Sequence, residues 1–163
     1  METLRIFVSM MLALALLTQG AQAQAKKTLE SLLKEAEIEY TAIEGGEFKI
    51  PVTLDNETVV VIAKEAAIGD GTVESLKLLH FYTLVMEVPK GGAMPPQMLK
   101  KMAEINDTIF VGKVSLAGDA GVFYSSSMWL QNASAELVIQ ELVLAHIQRN
   151  QMKKTLQPFL EEG

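Results

Sequence analysis

Between Phe48 and Leu54 the side chains alternate, with Phe48, Ile50, Val52 and Leu54 on one parity and Lys49, Pro51 and Thr53 on the other. A repeat of two puts those sets on opposite faces only if the backbone is extended, so the segment reads as a half-buried strand and the fold must contain a sheet. Pro51 has no N–H to give to a ladder, which favours an edge position or a bulge. Asp55-Asn56-Glu57 turns into Thr58 to Lys64, where β-branched Val59-Val60-Val61-Ile62 reads as a central strand. Leu76 to Val88 is apolar on both parities, with Leu78, His80, Tyr82, Leu84 and Met86 on one side and Leu79, Phe81 and Val85 on the other. Its aromatic and β-branched content favours a long strand over a helix.

The remaining segments carry the helical repeat or a hairpin pattern. Thr28 to Ile38 places Leu29, Leu32, Leu33 and Ala36 opposite Glu30, Lys34, Glu35 and Glu37, which predicts an amphipathic helix. Pro95-Pro96 opens a second helix, where a missing N–H costs least, with Met98, Leu99, Met102, Ala103 and Ile105 as its buried face and Asn106-Asp107 at its close. Phe110 to Ala117 and Val122 to Leu130 form two strands joined at Gly118-Asp119-Ala120-Gly121. The last helix starts near Asn132 or Ser134 and runs to about Gln157, before Pro158. Its broad stripe comprises Ala135, Val138, Ile139, Leu142, Val143, Ala145, His146 and Ile147, while Leu137 and Leu144 form a second line. The expected order is α-β-β-β-α-β-β-α, an α+β domain with helices packed against an antiparallel sheet.

Ahead of this domain, Arg5, the apolar run Ile6 to Leu17 and the small residues Ala21-Gln22-Ala23 and Ala23-Gln24-Ala25 make a signal-peptide pattern. The apolar run falls short of the about 20 residues that span a hydrocarbon core. The expectation is therefore a signal peptide over 1–23, cleaved after Ala23 or Ala25, and a single domain over 26–163 in the periplasm or secreted, touching membrane only before cleavage. The chain has no Cys, so disulfides, thiol chemistry and a lipid-modified Cys are excluded.

The net charge of −6 with scattered Lys and Arg argues against nucleic acid, which needs clustered cations. His80 and His146 lie sixty-six residues apart without a His-x-Glu or His-Glu-x-x-His context, which points to structural histidines rather than metal ligands. Ser125-Ser126-Ser127 lacks a Gly-x-Ser-x-Gly elbow and reads as strand serines on a solvated face. Gly69-Asp70-Gly71 lacks the further residues of a phosphate loop, Glu35, Glu37 and Glu39 read as a solvated charge run, and Asp55-Asn56-Glu57 lacks the alternating ligands of a calcium loop. Sequons at Asn56, Asn106 and Asn132 read as turn and cap residues. No catalytic residue, metal site or cofactor is expected. The spacing of Met94, Met98 and Met102 suits thioether binding of Cu(I), and equally a packed helix face.

The segments Leu29-Glu30-Ser31-Leu32-Leu33, Phe48 to Leu54, Glu104-Ile105-Asn106-Asp107, Gly112-Lys113-Val114-Ser115 and the helix from Ala133 carry a resemblance across most of the domain. The chain resembles the YbjN family of bacterial sensory transduction regulators, whose domain has a type III secretion chaperone-like fold. The resemblance implies a non-enzymatic domain, often dimeric, that offers helix and sheet surfaces to protein partners. An export signal departs from cytosolic type III chaperones, so a literal chaperone role does not carry over. The resulting expectation is an exported, homodimeric protein-interaction module contacting its partner through Met98, Met102, Trp129, Leu137 and Leu144, with core packing the competing role for Met98, Met102 and Trp129. The alternative is a small-ligand or Cu(I)-binding protein of the cell envelope.

Overall fold

The computed structural model describes residues 27–68, 76–88, 94–117 and 121–161. The signal segment and the turns at Gly69-Asp70-Gly71, Pro89, Gly91-Gly92 and Gly118-Asp119-Ala120 lie outside the described residues. The chain begins with α1 (Leu29–Glu35), started by a reciprocal cap. Thr28 Oγ1 accepts from Ser31 N–H at 3.1 Å and Ser31 Oγ accepts from Thr28 N–H at 3.0 Å, satisfying two amides that the first turn leaves free. The helix ends sooner than its apolar spacing suggests, because Glu37 turns left-handed at φ 54 and Ile38 N–H closes back on Leu33 O.

Six strands follow in one antiparallel sheet of order β1-β2-β3-β4-β6-β5. They are β1 (Thr41–Ile43), β2 (Glu47–Leu54), β3 (Glu57–Ile68), β4 (Leu76–Met86), β5 (Lys113–Leu116) and β6 (Val122–Trp129). Helix α2 (Pro96–Thr108) separates β4 from β5, a 3₁₀ turn (Leu130–Asn132) follows β6, and α3 (Ala135–Leu156) and the short α4 (Pro158–Glu161) complete the chain. The expected α+β class and element order therefore hold, with β1 and α4 as additions. The turn at Asp55-Asn56 has both residues at positive φ, 51 and 63, and joins the directly paired Leu54 and Glu57. That is the two-residue hairpin whose twist matches its strands. Pro51 sits beyond the three residues of β2 that β1 covers, so its missing N–H falls on the sheet's open edge.

One face of the sheet makes the core. Ile50, Val59, Val61, Ala63, Leu79, Phe81, Val85, Val114, Val122 and Tyr124 are buried there beneath Leu29, Leu32 and Leu33 of α1, Met98 and Met102 of α2, and Val138, Leu142, Ala145, Met152 and Leu156 of α3. The stripe that α3 buries is narrower than its apolar sequence suggests, and Ile139 and Ile147 stay exposed, Ile147 by 50%. Phe110 and Val111 lie outside the sheet, since strand pairing begins only at Lys113. Gly112 makes the turn at φ +82, where a Cβ would stand 2.6 Å from Ser125 O.

Where ladders stop, side chains take over the pairing. On the β5 edge, Asn106 Nδ2 donates to Val114 O at 2.9 Å while Val114 N–H donates to Asn106 Oδ1 at 2.7 Å, so one amide side chain acts as the missing strand. Between β3 and β4, pairing ends at Ile62 and Tyr82; beyond it Thr83 Oγ1 donates to Val60 O at 2.8 Å and Arg149 Nε donates to Leu84 O at 3.2 Å. These bonds keep part-buried carbonyls satisfied. Asn106→Ala removes both partners of Val114 and is expected to lower stability by about 1–3 kcal/mol in urea unfolding. An unchanged midpoint would mean that water replaces the amide at no cost.

Candidate functional site

Because side chains alternate along each strand, the sheet has a second face, and among the described residues no helix covers it. Strand registers align its side chains in rows running across the strands. Ile68 and Leu76 form one row, and Ala66, Leu78 and Trp129 the next. Glu47, Lys64, His80 and Ser127 follow, then Lys49, Ile62, Tyr82, Ser125 and Lys113. Val60 lies beyond on β3, and Leu84, Phe123 and Ser115 on the far strands. Two polar rows thus run between apolar side chains on this face. Val60, Ile68, Leu76 and Trp129 are exposed on it although each is large and apolar.

Hydrogen bonds and ring contacts fix the polar rows. Glu47 Oε1 holds Lys64 Nζ at 3.0 Å, and Glu47 Oε2 accepts from the Tyr82 hydroxyl at 2.8 Å. Lys64 Nζ stands 5.6 Å from the Tyr82 ring centroid, within cation–π range. Tyr82 also meets the ring of His80 at 5.7 Å and that of Phe123 at 6.4 Å. Burial, and then its bond to Glu47, push the Tyr82 hydroxyl up to about 12, so it stays a donor at neutral pH. The bond from Lys64, and then that from Tyr82, hold the Glu47 carboxyl below its usual range.

His80 Nδ1 lies 2.9 Å from Ser127 Oγ, which brings one expected structural histidine beside one of the three serines. A serine nucleophile needs a histidine that becomes imidazolium readily, normally helped by a carboxylate. Here partial burial, and then the positive charges of Lys64 and Lys113, push His80 below its ordinary value. A depressed imidazole is uncharged at neutral pH and a weaker base than an unperturbed one. Of the three serines only Ser127 is exposed. Ser125 and Ser126 are buried, Ser126 on the core side, which corrects the expectation that all three lie on a solvated face.

His146 is buried and serves structure. Its Nδ1 lies 3.1 Å from Val52 O, which requires a proton there, and its Nε2 then accepts from Asn150 Nδ2 at 3.1 Å. Asn150 Nδ2 also donates to Glu57 Oε2 at 2.8 Å, and Glu57 Oε1 pairs with Arg149 at 3.0 Å. This network ties α3 to the β2–β3 hairpin.

The expected contact residues are not brought together. Met98 and Met102 are 0% and 6% exposed within the core, while Met94 is half-buried. Trp129 is exposed on the open sheet face and Leu137 on the first turns of α3. Leu144 is half-buried and lines a groove of about 360 Å³ with Ile105, Ile109, Val111, Gln148 and Met152. Phe110 borders the same groove with its side chain fully exposed. Sequence reasoning missed the rows of the open face because they depend on strand order. It missed Phe110 because the residue's apolar neighbours made it look like part of a strand.

The depressed His80 sets a pH dependence. In the unfolded chain His80 titrates near 6.5, whereas in the fold it takes up its proton at lower pH. The unfolded state then binds more protons as pH falls through 6.5, so this contribution is complete above that pH and is lost below it. Urea unfolding between about pH 7.5 and pH 5.5 should show a smaller stability loss in His80→Gln than in the wild type. An NMR titration midpoint for His80 at or above 6.5 would contradict the assignment.

The geometry can be set beside known proteins. A solved structure with a similar chain trace is the Yersinia pestis type III secretion chaperone SycH in complex with a stable fragment of YscM2, at 19% identity and TM-score 0.43, covering 78% of this chain and 95% of that one. No curated protein matches the chain. Residues 25–158 match the model of the YbjN family, described as "Putative bacterial sensory transduction regulator". That match spans nearly the whole described domain, and the chain belongs to the YbjN family.

Proposed function

We propose that this chain is an exported, non-enzymatic protein-interaction module, homodimeric in solution, that docks a protein partner on the open face of its sheet. The observation that carries this reading is the uncovered sheet face, on which Val60, Ile68, Leu76 and Trp129 stay exposed around rigid polar rows. Ile68, Leu76 and Trp129 lie together on one side of the polar rows and Val60 on the other, and exposed large apolar side chains beside polar groups mark binding surfaces. Tyr82 and Trp129 contribute the amphipathic rings that such surfaces favour. Export is supported by Arg5, the apolar run Ile6 to Leu17 and the small residues at Ala21, Ala23 and Ala25. Self-association is supported by Phe110 beside the Leu144 groove, since a knob and a hole on one patch are what a two-fold contact requires. The Cu(I) alternative loses support from the enclosure of Met98 and Met102.

Each part has its own measurement. Ile68→Asp with Leu76→Asp changes two exposed side chains and should leave the melting temperature within a few degrees while abolishing recovery of the native partner in affinity capture. Undiminished recovery would remove the sheet face from the interaction. Sedimentation at micromolar concentration should give a dimer for the wild type and a monomer for Phe110→Asp; a wild-type monomer would end the dimer assignment. N-terminal sequencing of the protein from the envelope fraction should begin at Gln24 or Lys26, and an intact Met1 would refute cleavage.

A further inference from the structure

Resting on that reading of the sheet face, we infer that its occupant is an acidic peptide segment bearing apolar side chains, held by a band of lysines that crosses the sheet. Lys49 on β2, Lys64 on β3 and Lys113 on β5 all project from the open face, where Glu47 is the one acidic side chain among the described strand positions. Glu47 is occupied by Lys64 and Tyr82. Lys49 and Lys113 are exposed, and neither holds an ion pair among the described residues. The whole chain carries a net charge of −6, and residues 1–23 contribute one Glu and one Arg, so the domain itself is acidic. A basic surface on an acidic domain concentrates positive potential where a partner would dock, which steers and selects an anionic one.

The surroundings of the band decide what kind of anion fits. Its rows are bounded by Leu78 and Trp129 on one side and by Leu84 and Phe123 on the other, so an occupant that reaches the lysines must also cover apolar side chains. Nucleic acid satisfies the charge but not the apolar borders, and three lysines without an arginine are few cations against phosphate repelled by an acidic domain. A second copy docked face to face would set lysines against lysines. A peptide with carboxylates among Leu, Phe or Ile side chains satisfies both requirements. The distance is suitable as well: Lys49 and Lys113 lie on strands four spacings apart, about 19 Å, which an extended chain crosses in about six residues.

The test uses the purified protein and a random dodecapeptide display library, panned in parallel against the wild type, Lys49→Glu/Lys113→Glu and Trp129→Ser. The expected result is enrichment of Asp and Glu together with Leu, Ile or Phe on the wild type. Affinities of the recovered peptides by fluorescence anisotropy should fall at least about tenfold in the double charge reversal, and fall again as salt rises from about 50 to 300 mM. Both lysines are exposed and unpaired among the described residues, so the reversal should leave the fold intact, which circular dichroism checks directly. Peptides that need Trp129 but show no acidic enrichment, or are indifferent to the charge reversal, would overturn the acidic assignment and leave the docking face standing. Peptides indifferent to Trp129 and to the lysines, or no enrichment at all, would overturn both.

Discussion

The packing of α3 against the inner face of the sheet is the interaction on which the rest of the domain depends. Val138, Leu142, Ala145, Met152 and Leu156 bury one side of this helix, and it touches β2, β3, β4 and β6 as well as α1, α2 and α4. Its polar residues work in the same direction. Arg149 reaches Leu84 O where β3 and β4 part, and His146 and Asn150 hold the β2–β3 hairpin through Val52 O and Glu57. Apolar burial is concentrated on this layer, and among the described residues the opposite face has no helix over it.

Much of this was legible from residue patterns. The alternation from Phe48 to Leu54, the long strand from Leu76 and the Ser134 cap of the last helix translate directly into β2, β4 and α3. Pro51 was readable as an edge residue because a missing donor has few places to go in a sheet. β1 was not legible, since Thr41, Ala42 and Ile43 are too few and too exposed to carry a period. Ile139 and Ile147 misled because apolarity at helical spacing tells where a helix can be buried but not how wide a strip the sheet will cover. Met98 and Met102 posed the same ambiguity and resolved into the core, as their competing reading had it.

The open face was the least legible part, for a topological reason. Trp129, Leu78, His80, Lys64 and Lys113 come from four strands, and Trp129 and Lys113 join the others only when β6 inserts between β4 and β5. The same insertion puts Ser127 beside His80. Desolvation and two lysines depress the imidazole. What the rows share is a fixed pattern of cation, aromatic ring and exposed aliphatic side chain. The proposed docking of a peptide across the sheet rests on that pattern.

The central claim is that the heterologous protein partner, as distinct from a second copy of this chain, meets the sheet and not the helical layer, and site-specific photo-crosslinking in the native compartment tests it most directly. A photoreactive residue would be placed in turn at Val60, Ile68 and Trp129 on the open face and at Ile139 and Ile147 on α3, all five exposed and apolar. The expected result is one partner adduct common to the three sheet positions and absent from the two helix positions. An adduct to another protein formed from Ile139 or Ile147 but from none of the sheet positions would contradict the account.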